Sequence, residues 1–299
     1  MSQTTESKYG NILILGVSGM LGSALFKILS QLNYNVYGTV RSLQDNSFFK
    51  KSELERIVQD IDVLNFDDLI ALFNQIKPKI VINCIGVIKQ QSASKDPLAV
   101  IPINALLPHR LSQLCSLVNS RLILISTDCV FDGLKGNYLE SDKPNADDLY
   151  GKSKELGEIA DEKHVFTIRT SIIGHELYSK RSLIDWFLNS IDSVNGFKNA
   201  IFSGLPTCEL AKVIGNLIIP NQQLFGLYHV SVDPISKNDL LNLTKEIYKK
   251  EIKIIPSSDV KIDRSLNSDR FRSETGYKPP DWKELIENLY QYKTKFLRN

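Results

Sequence analysis

Tyr150 and Lys154 stand four residues apart in the run Tyr-Gly-Lys-Ser-Lys. On a helix, positions i and i+4 share a face, which sets an amine beside a phenol. A neighbouring cation favours phenolate and draws a tyrosine down from its ordinary pKa of about 10. A phenol tuned this way can give a proton to an alkoxide, or take one from an alcohol. Upstream, Thr127 and Asp128 lie in Ser126-Thr-Asp-Cys-Val-Phe131-Asp-Gly133, directly after the apolar run at residues 122–125. Thr127 can hydrogen-bond a carbonyl oxygen, and Asp128 can contact a substrate hydroxyl or steer a proton. Each motif alone also has a plain reading. Tyr-x-x-x-Lys recurs on many helices by chance, and Asp with Gly caps many strand ends.

A third group of residues suits a dinucleotide. Gly16-Val-Ser18-Gly19-Met20-Leu21-Gly22 follows the first apolar run and opens the first helical pattern. Glycines there allow a tight turn and let backbone amides approach a pyrophosphate at the helix N-terminus. The spacing is G-x-x-G-x-x-G, and the strand-turn-helix context is the one dinucleotide binding requires. At the end of the second strand, a carboxylate would bond the ribose hydroxyls of NAD. Arg41 and Ser42 stand there instead and offer a cation and a neutral donor to a 2′-phosphate. NADP(H) is therefore favoured, with NAD(H) left open; an exposed loop arginine is the plain alternative. Asp62 and Val63 follow the third strand, where Asp62 can meet the adenine edge or serve as a turn residue or helix cap. Cys84, Ile85 and Gly86 end the fourth strand, where Gly86 lets backbone pass close to a cofactor.

The elements that must position these residues alternate in the first half. Apolar runs at residues 11–15, 36–40, 57–60, 80–85, 122–125 and 165–169 read as buried strands. Leu21, Leu25, Ile28, Leu29 and Leu32, and later Leu69, Leu72, Phe73 and Ile76, recur at helical spacing. The stretch at residues 98–118 is helical but interrupted by Pro102 and Pro108. Repeated strand-helix units imply a parallel sheet with helices on both faces. The expected fold is α/β: a Rossmann-type doubly wound parallel sheet, with a smaller mixed α/β C-terminal substrate lobe. Residues 10–170 are expected to form the NADP-binding domain and 171–299 mainly the substrate lobe. Helices are expected there at residues 183–191, 209–219, 236–249 and 282–292, and a strand at 252–255 stands apart. One strand, at 227–230, is expected to return to the main sheet.

Composition excludes several classes. The chain has 299 residues and a formal net charge of +2, with lysines and arginines scattered or merely paired, so a nucleic-acid partner is not expected. No apolar run approaches the ~20 residues that span a bilayer, so no membrane partner is expected. The first ten residues are polar and do not read as a secretory signal. Cys84, Cys115, Cys129 and Cys208 lie among apolar neighbours without zinc-ligand spacing, and His109, His164, His175 and His229 do not cluster. The expectation is reduced thiols, no metal site and a cytoplasmic location.

Gly16-x-x-Gly19-x-x-Gly22, the Ser126–Gly133 motif and Tyr150-Gly-x-Ser-Lys154-x-x-Gly157-Glu158 together resemble the extended short-chain dehydrogenase/reductases. Within them the chain resembles the dTDP-4-dehydrorhamnose reductase family of nucleotide-sugar reductases. Arg169-Thr-Ser171, Gly204-Leu-Pro206-Thr207 and Arg264-Ser-Leu-Asn267, with Gly276 and Trp282, match its pattern too. The resemblance covers about residues 10–290. It implies a triad of Thr127, Tyr150 and Lys154, assisted by Asp128, with Lys154 and Tyr150 also at the cofactor. It implies hydride transfer from NADPH to C4 of a 4-keto-6-deoxy sugar nucleotide for surface polysaccharide synthesis. Lys89, Asn104, Phe131, Pro206 and Thr207 become the residues expected near substrate, although an Asn at position 104 in this fold often braces the active-site helix and strand. Family members are often dimers, so the resemblance admits a homodimer, although no motif decides it.

Two departures narrow the chemistry. Cys129 stands where rhamnose enzymes typically have Tyr and nucleotide-sugar dehydratases have Glu. Without that carboxyl the acid/base pair for dehydration is incomplete. The stretch from Gly86 through Lys89, Gln90 and Gln91 also differs from the rhamnose type, which opens the way to another sugar, such as a UDP-linked N-acetylated deoxyhexose. Two further readings stand beside reduction. One is an epimerase that keeps its cofactor bound; the other is a regulatory subunit resembling methionine adenosyltransferase β, which uses this fold to bind a partner enzyme.

Overall fold

The computed structural model describes residues 8–42, 47–89 and 92–297. Most of the polar N-terminal stretch, and Gln90 and Gln91, lie outside the described residues. In chain order the elements are β1 (Asn11–Leu15), α1 (Met20–Gln31), β2 (Asn35–Thr39), α2 (Lys51–Leu54), β3 (Ile57–Val58), α3 (Phe66–Ile76), β4 (Pro78–Asn83), α4 (Pro97–Val100), α5 (Leu107–Leu117), β5 (Arg121–Thr127), α6 (Leu149–Leu156) and β6 (Val165–Thr170). The second half adds β7 (Ile172–Ile173), α7 (Leu183–Asn189), β8 (Ser193–Phe202), β9 (Leu205–Pro206), α8 (Thr207–Val213), β10 (Gly226–His229), β11 (Ile235–Ser236), α9 (Lys237–Ile247), β12 (Lys253–Asp263), α10 (Asp269–Thr275) and α11 (Trp282–Phe296).

The main sheet has seven strands in the order β10-β6-β5-β4-β1-β2-β3, and its pairings are parallel. Its apolar strands lack a polar face because both faces are covered. In β1, Ile12 and Ile14 enter one core with Ala24, Leu25, Leu210 and Leu285 from the helices, whereas Leu13 and Leu15 enter the other with Leu69, Leu72, Leu111 and Leu114. This is the doubly wound Rossmann-type arrangement. Its strand order reverses between β1 and β4, and such a switch point, at the carboxyl ends of the strands, is where ligands bind.

The expected interruption of the middle helix is a change of winding. A turn of π-helix, Ile101–Leu106, separates α4 from α5. Pro102 has no amide hydrogen to donate, and π-turns of this kind concentrate near functional sites. In the second half, a three-stranded sheet of order β11-β8-β12 lies apart from the main one. The segment expected as a short strand at 252–255 runs on to Asp263 as β12, with an irregularity between Ser257 and Lys261. Its Pro256 is tolerated because β12 is an edge strand. Its partner β8 was not expected from the sequence. Asn195, Gly196, Lys198 and Asn199 interrupt its apolar positions and give it a loop-like composition.

Among the described residues, no helix is long and apolar enough to cross a membrane, and no group of three His, Cys, Asp or Glu side chains could hold a metal ion. All four cysteines are free.

Candidate functional site

The dinucleotide turn is built around two backbone contacts. Gly16 leaves β1 at φ +87°, in the left-handed region that favours glycine. Its amide and that of Val17 donate to the Thr39 carbonyl at 3.2 and 3.0 Å, which ties the turn to the end of β2. A Cβ on Gly22 would sit 2.1 Å from the Gly16 carbonyl oxygen, so helix and strand can approach this closely only with glycine at 22. α1 begins at Met20 with Gly19 as N-cap, no side-chain cap and no acidic residue in its first turn. An uncapped helix N-terminus with a glycine approach is a fitting cradle for a pyrophosphate. Ser18 and Met20 are half-buried at its edge, whereas the Leu21 side chain is core, leaving only its backbone to the cradle.

The other expected cofactor residues divide. Arg41 and Ser42 are exposed at the end of the second strand. Asp62 is exposed, and its carboxylate accepts from the Leu64 amide at 3.0 Å, a turn-forming contact ahead of α3. The Val63 side chain is buried in the core with Leu13 and Leu69. Cys84 and Ile85 are half-buried at the end of β4. The Cys84 amide donates to the Leu15 carbonyl at 3.1 Å, across the switch point.

Thr127 ends β5 opposite Thr170 of β6 and caps the short turn Asp128–Val130, its hydroxyl accepting from the Cys129 amide at 3.1 Å. α6 is started by Asp148, whose carboxylate accepts from the Gly151 amide at 2.8 Å. A Cβ on Gly151 would lie 2.3 Å from the Cys129 carbonyl oxygen, so glycine lets α6 press onto that turn. The result brings the Tyr150 hydroxyl beside Thr127. Asp128 lies beside them, in hydrogen-bonding contact with Thr127, Cys129 and Ser171 and within the field of Arg264. Burial pushes the Asp128 carboxyl above its ordinary range against the pull of those partners.

Lys154 lies one turn further along α6, and its ammonium donates to the Ile125 carbonyl of β5 at 2.7 Å. This corrects the expected tuning of the phenol. The Tyr150 pKa is raised, first by burial and then by Cys129, with the Thr127 hydroxyl opposing. One of the three ammonium donors goes to β5, and Lys154 is not among the groups that shift the half-buried Tyr150 phenol. Lys154 itself is lowered to about 8 by burial, with Glu158 and Cys84 pulling the other way.

The expected substrate residues also divide. Lys89 is exposed and pairs with Asp148 at 2.6 Å, bridging the loop after β4 to the start of α6, beside the triad. Asn104 is a brace, correcting its expected place at substrate. Its Oδ1 accepts from the Val87 amide at 2.9 Å, and its Nδ2 donates to the Val87 carbonyl at 3.0 Å and to Ser153 at 3.2 Å. With both ends of the amide used and only 1% exposure, it has nothing left for a ligand. Phe131 is likewise corrected: fully buried, it stacks on Tyr138 at 4.1 Å beneath the Arg169 guanidinium. Its ring is already covered by Tyr138 and Arg169. Pro206 and Thr207 are buried where β9 meets α8, and the Thr207 hydroxyl has no hydrogen-bond partner among the described residues. That hydroxyl lies close to Gly174, which also approaches Met20 of the dinucleotide turn.

Several residues of the site were missed. Ser171 follows the end of β6, and the rule that ligands collect at strand ends could have singled it out. Arg264 reaches the Phe131 carbonyl at 2.6 Å from the far end of the chain, a proximity no local pattern reveals. Behind the site, Glu158 is held by Arg169 at 2.8 and 2.6 Å and by Ser126 at 2.6 Å. His229 completes this layer, its Nδ1 at 3.0 Å from the Tyr138 carbonyl.

Burial, then Arg169, lowers His229 to about 4 from the ordinary 6.5. Between those pH values the unfolded chain takes up a proton that the folded one refuses. Stability from this site is therefore complete above pH 6.5 and is lost as pH falls towards 4. At ~1.4 kcal/mol per unit the loss is on the order of 3 kcal/mol. Urea unfolding at pH 7 and pH 4.5 should show the drop, and His229→Gln should shrink it. An equal drop in both proteins would contradict this assignment.

Comparisons with known proteins bear on the family and the fold. The dTDP-4-dehydrorhamnose reductase of Aggregatibacter actinomycetemcomitans is 22% identical, over 94% of this chain and 98% of its own length. The methionine adenosyltransferase 2 subunit beta of Rattus norvegicus is 28% identical over 149 residues, half of this chain; the match spans only 42% of that protein. A crystal structure of dTDP-4-dehydrorhamnose reductase from Bacillus anthracis, in complex with NADP, superposes with a TM-score of 0.76. It is 22% identical and covers 94% of this chain and 98% of its own, a likeness of fold. The family model described as RmlD substrate binding domain matches residues 10–294, and the chain belongs to that family.

Proposed function

We propose that the protein is an NADPH-dependent reductase of the 4-keto group of a nucleotide-linked 6-deoxy sugar. The observation that carries the reading is the convergence of Tyr150, Thr127 and Lys154 at the carboxyl ends of β4 and β5, beside a glycine cradle fit for a pyrophosphate. NADPH, when bound in that cradle, supplies the hydride. Thr127 and Tyr150 donate hydrogen bonds to the ketone oxygen and stabilise the charge that develops on it. Tyr150 then gives its proton to the alkoxide. Its raised pKa suits this direction, because the phenol stays protonated across the neutral range and an alkoxide is far more basic. Lys154 holds the nicotinamide ribose, and Asp128 receives a sugar hydroxyl. Residues 10–170 mainly bind the cofactor, and residues 171–299 mainly bind the sugar.

Cys129 beside Asp128 gives no second carboxyl for dehydration, which separates this reading from the dehydratases. The half-length likeness to the methionine adenosyltransferase subunit favours a second reading, a partner-binding protein. The complete triad weighs against it.

A panel of dTDP-, UDP- and GDP-linked 4-keto sugars, offered with NADPH, tests the reading through loss of nicotinamide absorbance. Turnover on one of them supports it. Inertness towards all of them, with capture of a synthetase partner, would favour the second reading.

The exposed Arg41 supports NADPH over NADH by offering a charge-assisted contact to the 2′-phosphate. Such a contact contributes about 1.5–3 kcal/mol. Arg41→Ala should therefore raise KM for NADPH at least ~10-fold and leave KM for NADH nearly unchanged. Equal effects on the two would remove the basis for NADP preference.

A further inference from the structure

The buried carboxylate of Glu158 has no part in the chemistry described so far, yet the fold invests three hydrogen bonds in fixing it. Its Oε1 accepts from Ser126 at 2.6 Å and from the Arg169 Nε at 2.8 Å, and its Oε2 accepts from the Arg169 Nη2 at 2.6 Å. Glu158 follows the last turn of α6, four residues beyond Lys154. On the strand side, Lys154 donates to the Ile125 carbonyl, and the next residue, Ser126, holds Glu158. Strand and helix therefore present carboxylate and ammonium to one another through adjacent residues of β5.

We propose that Glu158 is a positioning residue, a fixed counter-charge that keeps Lys154 protonated in its half-buried place one turn beyond the phenol. The inference rests on the reductase reading for its consequence in catalysis; its effect on Lys154 rests on the adjacent β5 anchorage of the two groups and on the field of Glu158 at the ammonium.

An ammonium largely withdrawn from water is costly, and an opposite charge or good hydrogen bonds offset that cost. The ionisable groups facing Lys154 are few: Glu158 at the end of its own helix, and the Cys84 thiol at the end of β4. Burial pushes that thiol up to about 12, so it stays neutral at the working pH. Glu158 is then the one facing group that carries negative charge at neutral pH among the described residues. Its own partners explain why it is held so firmly. A carboxylate free to rotate could turn towards Lys154 and pull the amine off the Ile125 carbonyl; one clamped bidentately by Arg169 acts through space and leaves the amine positioned. His229 lies behind Arg169 at 3.5 Å and is lowered to about 4, so it adds no positive charge at neutral pH.

The sign of the effect follows. Without Glu158 the Lys154 pKa falls further below about 8. The ammonium that holds the ribose is then lost at a lower pH, and the alkaline limb of kcat/KM moves down with it.

The test is Glu158→Gln, which keeps the shape and an acceptor oxygen for Ser126 and Arg169. The Lys154 titration is read directly from its side-chain carbon shift in selectively labelled protein, without substrate. Its midpoint should drop by about one pH unit, the low end for an opposite charge at close range. Turnover should fall at pH 8 and recover at pH 6.5, whereas a merely structural role would lower it at both. Glu158→Asp should hold the midpoint near that of the unaltered protein. Should the glutamine variant not fold, Ser126→Ala, which frees the carboxylate to turn towards Lys154, should move the midpoint the other way, upwards. An unchanged Lys154 midpoint overturns the proposal whatever the activity. A shifted midpoint in a protein inert to all keto sugars would support it and sink the reductase reading alone.

Discussion

Replacing Tyr150 by phenylalanine should lower turnover at least ~100-fold, the scale of a lost general acid, while NADPH affinity is nearly unchanged. Phenylalanine fills the same space as the tyrosine ring. The hydroxyl contacts Thr127, and Thr127 keeps its bond to the Cys129 amide without it. The variant therefore loses one proton and little else. Steady-state rates together with a fluorescence titration of NADPH separate the two effects, and near-normal turnover would sink the mechanism. The pH profile of the unaltered enzyme gives a companion check. Because the Tyr150 pKa is raised, the phenol is not the group that titrates first. Activity should fall as pH rises through about 8, where Lys154 loses its charge.

Gly22→Ala should weaken NADPH binding at least ~10-fold, an effect expected when a ligand cradle is displaced by about 1 Å. The added methyl would sit 2.1 Å from the Gly16 carbonyl oxygen and 3.1 Å from the Val17 Cα, both backbone atoms of the turn. Neither can rotate away, so the turn must separate from α1. That movement pulls at the bonds from Gly16 and Val17 to Thr39. Because the approach is tight before any ligand binds, the variant should also unfold at a lower temperature without NADPH. Calorimetric titration and thermal unfolding should therefore both show the loss. Unchanged NADPH affinity would mean that turn and helix absorb the methyl without moving the cradle.

The parts of the molecule legible in the sequence are those governed by local rules. The strands of the main sheet are apolar throughout because both faces are buried, and that pattern survives without any knowledge of partners. The dinucleotide turn was legible because strand, glycines and helix follow one another without a break. β8 was not, because Asn195, Gly196 and Asn199 give it a loop-like composition; it is held by pairing with a strand some sixty residues later in the chain. Side-chain roles were harder than elements. Asn104 and Phe131 sit in motifs near the site, and the sequence places them there correctly. Only packing reveals that one amide is wholly used on Val87 and Ser153, and that one ring is covered by Tyr138 and Arg169. The sign of the Tyr150 shift was also hidden. Spacing puts Lys154 on the right face of α6, but the Ile125 carbonyl that captures its amine comes from another strand. Arg264 belongs to the same class, since it approaches Asp128 only once the second half folds back onto the first.

The central claim is that a hydride arrives at a sugar carbonyl carbon while Tyr150 supplies the proton. The most direct measurement uses NADPH deuterated at the transferable position, with the nucleotide-linked 4-keto sugar from the panel that reacts fastest. Mass spectrometry and proton NMR of the product should find the deuterium at the former carbonyl carbon, in a single configuration, with incorporation collapsing in Tyr150→Phe. A protein that binds NADPH yet leaves no label in any 4-keto sugar would contradict the account.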